Sequence, residues 1–251
     1  MSYKHPKFIT GEYYHIFNRG VEKRKTFLNV ADFFRFIFSL YELNDKNTVV
    51  MRERIKERKS RNSKNKYIGK YIGDTYVFLN KKKEPLVEVI AFCLMPNHYH
   101  LILRQFVDGG ISLFMKKLSN GYTGYFNEKY NRKGIGALFQ GCFKAVHVEN
   151  DGQLAALVAY IFTNPVELTE KNWKEGLVKD PSRASQFLKT YRWSSYLDCI
   201  GISNFPSVTK RDFITEFFGS PEKIQEFIES RILDKTKFVG GFDDIKDLII
   251  E

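Results

Sequence analysis

VEVIAFCLMPNHYHLILR, running from Val87 to Arg104, is the stretch whose reading decides the fold. Two runs rich in β-branched and aromatic residues flank a Pro-Asn turn, so the spacing predicts an antiparallel hairpin bending at Met95-Pro96-Asn97. His98 and His100 open its second strand. Residues i and i+2 of a strand project from one face, so these two of the chain's five histidines can aim at one point. Two converging neutral imidazoles are half of a divalent metal site, although two strand histidines can equally be partly exposed polar residues.

Working outward, Tyr13 to Phe17 (YYHIF) reads as a first strand, stopped by the turn signal Asn18-Arg19-Gly20. Ala31 to Leu43 (ADFFRFIFSLYEL) reads as a buried helix capped by Asn29. After the hairpin, Gly109-Gly110 leads into a helix over Ile111 to Tyr130, and Phe143 to Glu149 (FKAVHVE) is a further strand. Asp151 is the expected cap of a helix from Gln153 to about Thr163, which Asn164-Pro165 ends. That order is a split βαβ arrangement. It predicts an α+β chain with a ferredoxin-like (RRM-like) antiparallel sheet and helices packed on one face. Past residue 166 the pattern weakens. Tyr191 to Tyr196 (YRWSSY) is an aromatic cluster with no assigned element, and short helices are expected at Arg211–Phe218 and Glu222–Ile232. The expected division is a main domain over 1–200 and a small helical C-terminal extension over 201–251.

Composition bounds the function. An apolar fraction of 43% with 23 Phe and 14 Tyr supports a sizeable core, which excludes a disordered tail. A net charge of +11 points to a polyanionic partner, nucleic acid ahead of a membrane surface. No run is apolar enough to span a membrane and no signal-peptide core is evident, so no membrane partner is expected. The three cysteines, Cys93, Cys142 and Cys199, lack metal-type spacing and suit a reduced cytoplasm. Between Met51 and Lys83, twelve Lys or Arg face three Asp or Glu, which reads as a basic surface insertion with a short strand or hairpin over Tyr67–Leu79.

On the helix after Asp151, Leu154, Leu157, Val158 and Ile161 form the buried stripe. Tyr160 and Asn164, spaced i, i+4, are neighbours on one flank. Taken alone, that tyrosine reads as a side chain at the edge of the core, and an Asn before Pro as a helix stop.

PNHYHLIL, SNGYTGYFN, LFQGCFK, AYIFTNPVEL and YRWSSY, in this order, resemble the single-tyrosine HUH transposases of insertion sequences, most of all the REP-associated tyrosine transposases of bacteria. The likeness runs from about Tyr13 to Tyr196 and implies the HUH endonuclease fold. By this resemblance His98 and His100 are metal ligands, Tyr160 is the nucleophile, and Asn164 stands where the family has a third, helix-borne ligand. The family often has Trp and Arg where this chain has Phe139 and Cys142, a departure that bears on DNA contacts rather than on the chemistry. The insertion around 51–83 is longer than the resemblance leads one to expect.

The resemblance implies sequence-specific cleavage and rejoining of single-stranded DNA at hairpin or repeat ends, that is, DNA transposition and recombination. The intermediate would be a covalent 5′-phosphotyrosine and the cofactor Mg²⁺ or Mn²⁺. It also implies a bacterial, cytoplasmic, nucleoid-associated setting and allows a homodimer. Candidate DNA contacts are Arg19, Arg52, Arg54, Lys116, Lys117 and Lys144, with Lys56, Arg58, Lys59 and Arg61 of the basic run able to track phosphates. Tyr122 and Tyr125 read as core rather than as base platforms, and His15 and His147 as structural or supporting residues. The rival readings are a non-catalytic repeat-DNA-binding protein, a metal phosphodiesterase that activates water, and an RNA-binding module.

Overall fold

In chain order the elements are β1 (Tyr13–Arg19), α1 (Val30–Glu42), β2 (Gly69–Ile72), β3 (Thr75–Phe78), β4 (Val87–Met95), β5 (His98–Gln105), α2 (Gly110–Lys129) and β6 (Lys144–Val148). They are followed by α3 (Asp151–Thr163), α4 (Pro181–Leu188), α5 (Tyr196–Cys199), α6 (Arg211–Phe218) and α7 (Pro221–Leu233). This computed structural model describes residues 5–56, 69–72, 75–78, 83–132, 134–170, 173 and 178–233, with backbone alone for 69–72 and 75–78. One four-stranded sheet runs β4-β5-β1-β6 with every neighbouring pair antiparallel, the order of a split βαβ fold. Among the described residues, strands β2 and β3 pair only with each other, as the expected short hairpin within the basic run.

The two faces of the sheet carry different cores. Tyr14, Ile16, Leu101 and Leu103 pack under α1 and α2, whereas Ala91, Cys93, Met95 and Ile102 pack under α3 and the C-terminal helices. Helices therefore lie on both faces rather than on one. The cause is the second apolar row: a face bearing Ala91, Cys93 and Ile102 would lose its hydrophobic stabilisation if left to water. A β-bulge makes the two rows possible. Val89 stands opposite Leu103 and Ala91 opposite Ile102, so Ile90 is the extra residue. It reverses the in–out parity of β4 midway. Val87 and Val89 thus face α1, and Cys93 and Met95 face α3.

Helix α1 starts where the sequence predicts. Asn29 Oδ1 accepts from the Ala31 N–H (3.1 Å), and the Asp32 carboxylate accepts from the Leu28 and Asn29 N–H groups (2.8 and 3.2 Å). This cap is tied to the end of α2. Lys129 Nζ, Tyr130 Oη and Tyr125 Oη donate to the same carboxylate at 2.6, 2.7 and 2.9 Å. Tyr122, fully buried, donates to the Thr26 carbonyl (2.6 Å), so both tyrosines of the SNGYTGYFN motif are structural. Burial alone would raise the Asp32 pKa, but the bonds from Lys129, Tyr130, Leu28 and Tyr125 hold it below the ordinary carboxylate value. Because the folded carboxyl titrates below its unfolded 3.8, its contribution is complete above that pH and is lost as pH falls through the folded value. Asp32→Asn is expected to cost about 1–3 kcal/mol at neutral pH. Thermal melts against pH check this, since the gap from wild type should close in acid.

Two further features differ from the sequence reading. The cap of α3 is Asn150, whose Oδ1 accepts from the Gln153 N–H (2.9 Å); Asp151 is the first helical residue, where its charge still suits the helix N-terminus. The YRWSSY segment covers the outer edge of β4. The Leu94 N–H donates to the Trp193 carbonyl (2.8 Å), Ser194 bridges Cys93, and Tyr191 Oη donates to the Leu94 carbonyl (2.7 Å). An edge that would otherwise expose backbone groups is thereby paired. Ile214, Ile224 and Ile228 of α6 and α7 are fully buried in the core that holds α3. No helix among the described residues is long and apolar enough to cross a membrane.

Candidate functional site

The register assembles the site row by row. Across the α3 face of the sheet, Met95, His98 and Arg19 stand abreast, then Cys93, His100, Phe17 and Lys144, then Ala91, Ile102, His15 and Val146. His98 and His100 therefore share a face, as the strand period predicts, with ring centroids 5.0 Å apart. Helix α3 sets the Tyr160 ring edge-on to His100, 5.2 Å away at 87°, and 6.4 Å from His15.

Hydrogen bonds orient each imidazole. The Asn97 amide donates through Nδ2 to the Lys23 carbonyl (3.2 Å), which turns its Oδ1 toward His98. An amide oxygen only accepts, so the 2.6 Å contact makes His98 Nδ1 the protonated nitrogen and leaves the lone pair on Nε2. His100 Nδ1 lies 3.0 Å from His15 Nε2, with the two rings nearly parallel.

Loop 20–27 clamps the histidine-bearing turn. The Gly20 N–H donates to the Asn97 carbonyl (2.8 Å), and the Thr26 and Phe27 N–H groups donate to the Pro96 carbonyl (2.8 and 3.1 Å). A Cβ at Gly20 would stand 2.2 Å from the Arg24 carbonyl oxygen, so close backbone approach requires glycine there. Glu22 and Lys23 take left-handed backbone, φ 54° and 58°, at a cost of about 1–2 kcal/mol each. Such strain is found where surrounding contacts hold a functional turn.

Beside the histidines a cleft of about 380 Å³ is lined by His98, His100, Phe17, Asn18 and Tyr99 together with Arg19, Lys23, Gln140 and Lys144. Of the candidate DNA contacts, Arg19 and Lys144 are thus brought to the histidines, and Lys23 and Gln140 join them unforeseen. Gln140 owes its position to the LFQGCFK segment, which continues the sheet beside β1: Phe139 bridges Gly20, and the Gln140 N–H donates to the Arg19 carbonyl (2.8 Å). Phe139 itself is buried against Tyr99 and Tyr122, an anchor for this loop.

The remaining candidates lie elsewhere. Lys116 is exposed on α2, on the opposite face of the sheet. Lys117 donates to the carbonyls of Asp45 and Asn47, tying α2 to the chain after α1. Arg54 meets Glu42 at 3.4 Å, and Arg52 is exposed nearby. Arg58, Lys59 and Arg61 fall outside the described residues. His147 bonds Glu12 (3.0 Å) on the α1 side, away from the cleft.

Tyr160 and Asn164 are 1% and 0% exposed, deeper than the flank position expected from the helix stripe; the Tyr160 ring lies against His15 and His100 of the sheet. Neither lines the cleft. Among the described residues no three His, Cys, Asp or Glu side chains form a metal-binding group. The donors the resemblance implies include an amide, however, and Asn164 fits that role. Among the described residues its Oδ1 and Nδ2 are both buried with no hydrogen-bond partner, which costs about 1–3 kcal/mol unless a ligand or water meets them.

Residues 49–164, which include His98, His100, Tyr160 and Asn164, match the family model described as IS200-like transposase. Among solved structures the chain is similar to a REP-associated tyrosine transposase bound to a REP hairpin. The identity is 16%, over 80% of this chain and 86% of that one, with a TM-score of 0.45. No curated protein matches the chain significantly.

Proposed function

We propose that the chain, whose residues 49–164 match the family model described as IS200-like transposase, cleaves and rejoins single-stranded DNA at hairpin or repeat ends through Tyr160. The observation that carries this reading is the contact of Tyr160 with His100, one of two strand histidines at a basic cleft. The Tyr160 phenolic oxygen attacks the scissile phosphorus and loses its proton. The P–O3′ bond breaks, the departing 3′ oxygen gains a proton, and the 5′ end remains as a phosphotyrosine. Bond energy is kept in the phosphodiester, so a 3′-hydroxyl can reverse the step without a nucleotide cofactor. A phenol with pKa near 10 is a poor nucleophile and needs an activated phosphate. His98, His100 and Asn164 would hold the Mg²⁺ or Mn²⁺ that, when bound, polarises a nonbridging oxygen. Arg19, Lys23 and Lys144 would hold the flanking phosphates.

Labelled single-stranded DNA from repeats flanking the gene, incubated with Mg²⁺ or Mn²⁺ and run on denaturing gels, tests the proposal. The expected product is an SDS-resistant protein–DNA adduct that EDTA prevents. A water-activating phosphodiesterase is the second reading. It is favoured by one observation: His98 and His100 line the cleft while Tyr160 does not. It predicts cleavage without an adduct.

The cationic rim has its own test. Lys144→Ala is expected to weaken binding of all single strands alike. It should also flatten the slope of log K against log salt by about 0.7, because one phosphate is no longer neutralised, as read by fluorescence anisotropy.

A further inference from the structure

We infer that His15 is a positioning residue which accepts the Nδ1–H of His100 and so keeps the His100 lone pair on Nε2. The inference rests on the metal-binding role proposed above for His98 and His100. His15 lies on β1, diagonal to His100, and is 0% exposed; its Nε2 is 3.0 Å from His100 Nδ1. Stacking on Phe17, at 4.7 Å between centroids, holds its ring nearly parallel to that of His100. It is also edge-on to Tyr160.

Two imidazoles at hydrogen-bond distance share one proton between the facing nitrogens, so one ring donates and the other accepts. If His15 donated, a neutral His100 would carry its own hydrogen on Nε2 and could not ligate there. With His15 accepting, His100 presents Nε2 as a lone pair, in the same tautomer that Asn97 imposes on His98. The two histidines then form a matched pair, each held through Nδ1–H by a neighbouring side chain. Asn97 serves one and His15 the other.

The direct test is long-range ¹⁵N–¹H NMR of the metal-free protein near pH 8, above the ordinary imidazole range. The expected signature is a protonated Nδ1 and a bare Nε2 on His100. His15→Phe keeps the ring volume and removes the acceptor. It should weaken Mn²⁺ binding by about 10–100-fold, measured by EPR of the free ion, while hairpin binding in EDTA is unchanged. His15→Gln restores an acceptor near the Nε2 position and should recover most of that affinity, which a merely space-filling role would not predict.

An Nε2–H tautomer on wild-type His100 overturns the inference, as does equal Mn²⁺ affinity in a folded His15→Phe. Should the Phe variant fail to fold, the wild-type tautomer and the Gln variant still decide. The tautomer is read without metal or DNA. It can therefore fail while the Tyr160 adduct forms, or hold while the adduct does not.

Discussion

His100→Ala is expected to lower metal-dependent cleavage by about 10³-fold or more while leaving hairpin binding in EDTA nearly unchanged. His100 occupies the middle of the row between Cys93 and Phe17 and meets His15, His98 and Tyr160. In the proposed mechanism the strand is held by Arg19, Lys23 and Lys144, which line the cleft and whose charges the substitution does not touch. Because alanine also leaves a void beside Tyr160, His100→Gln is the better-packed control and should show the same loss. Single-turnover cleavage and anisotropy, measured on one preparation, separate the two effects. Abolished binding by a folded variant would contradict this division of roles.

Tyr160→Phe should remove adduct formation altogether and reduce cleavage by at least about 10³-fold, with little change in thermal stability. The substitution deletes one oxygen and keeps the ring that packs edge-on to His100 and His15. Deleting a single hydroxyl while its ring stays packed costs on the order of 1 kcal/mol. A rate change is therefore chemical in origin, and a matching melting curve demonstrates it. Cleavage at the parental rate would instead identify water as the nucleophile.

The parts of this fold that follow local rules were legible in the sequence. The Pro-Asn hairpin, the shared face of His98 and His100, the Asn29 cap and the helix ending at Asn164 all follow from strand period, turn chemistry and capping. Features set by distant partners were not. The bulge at Ile90 breaks the alternation of β4, so the run VEVIAFCL gives no sign that both faces of the sheet are covered. Tyr160 reads as a flank residue because its helix stripe does not reveal that its ring is set against His15 and His100 of the sheet. The YRWSSY segment covers an edge strand through backbone bonds that side-chain patterns do not encode. Helix α4 had a readable start, Asp180 accepting from the Arg183 N–H with Pro181 at its first position, although its periodicity is short. Lys23 and Gln140 reach the cleft only because loop 20–27 and the LFQGCFK segment are bonded to the end of β1 and to the hairpin turn.

The most direct test of the central claim is to map the covalent link. Wild-type protein is trapped on a cleaving single strand with Mn²⁺, digested with nuclease and protease, and read by tandem mass spectrometry. A nucleotide 5′-phosphate on the Tyr160 side chain is the predicted result. An unmodified Tyr160 peptide in a sample that has cleaved its substrate, or a nucleotide on any other residue, would contradict the account.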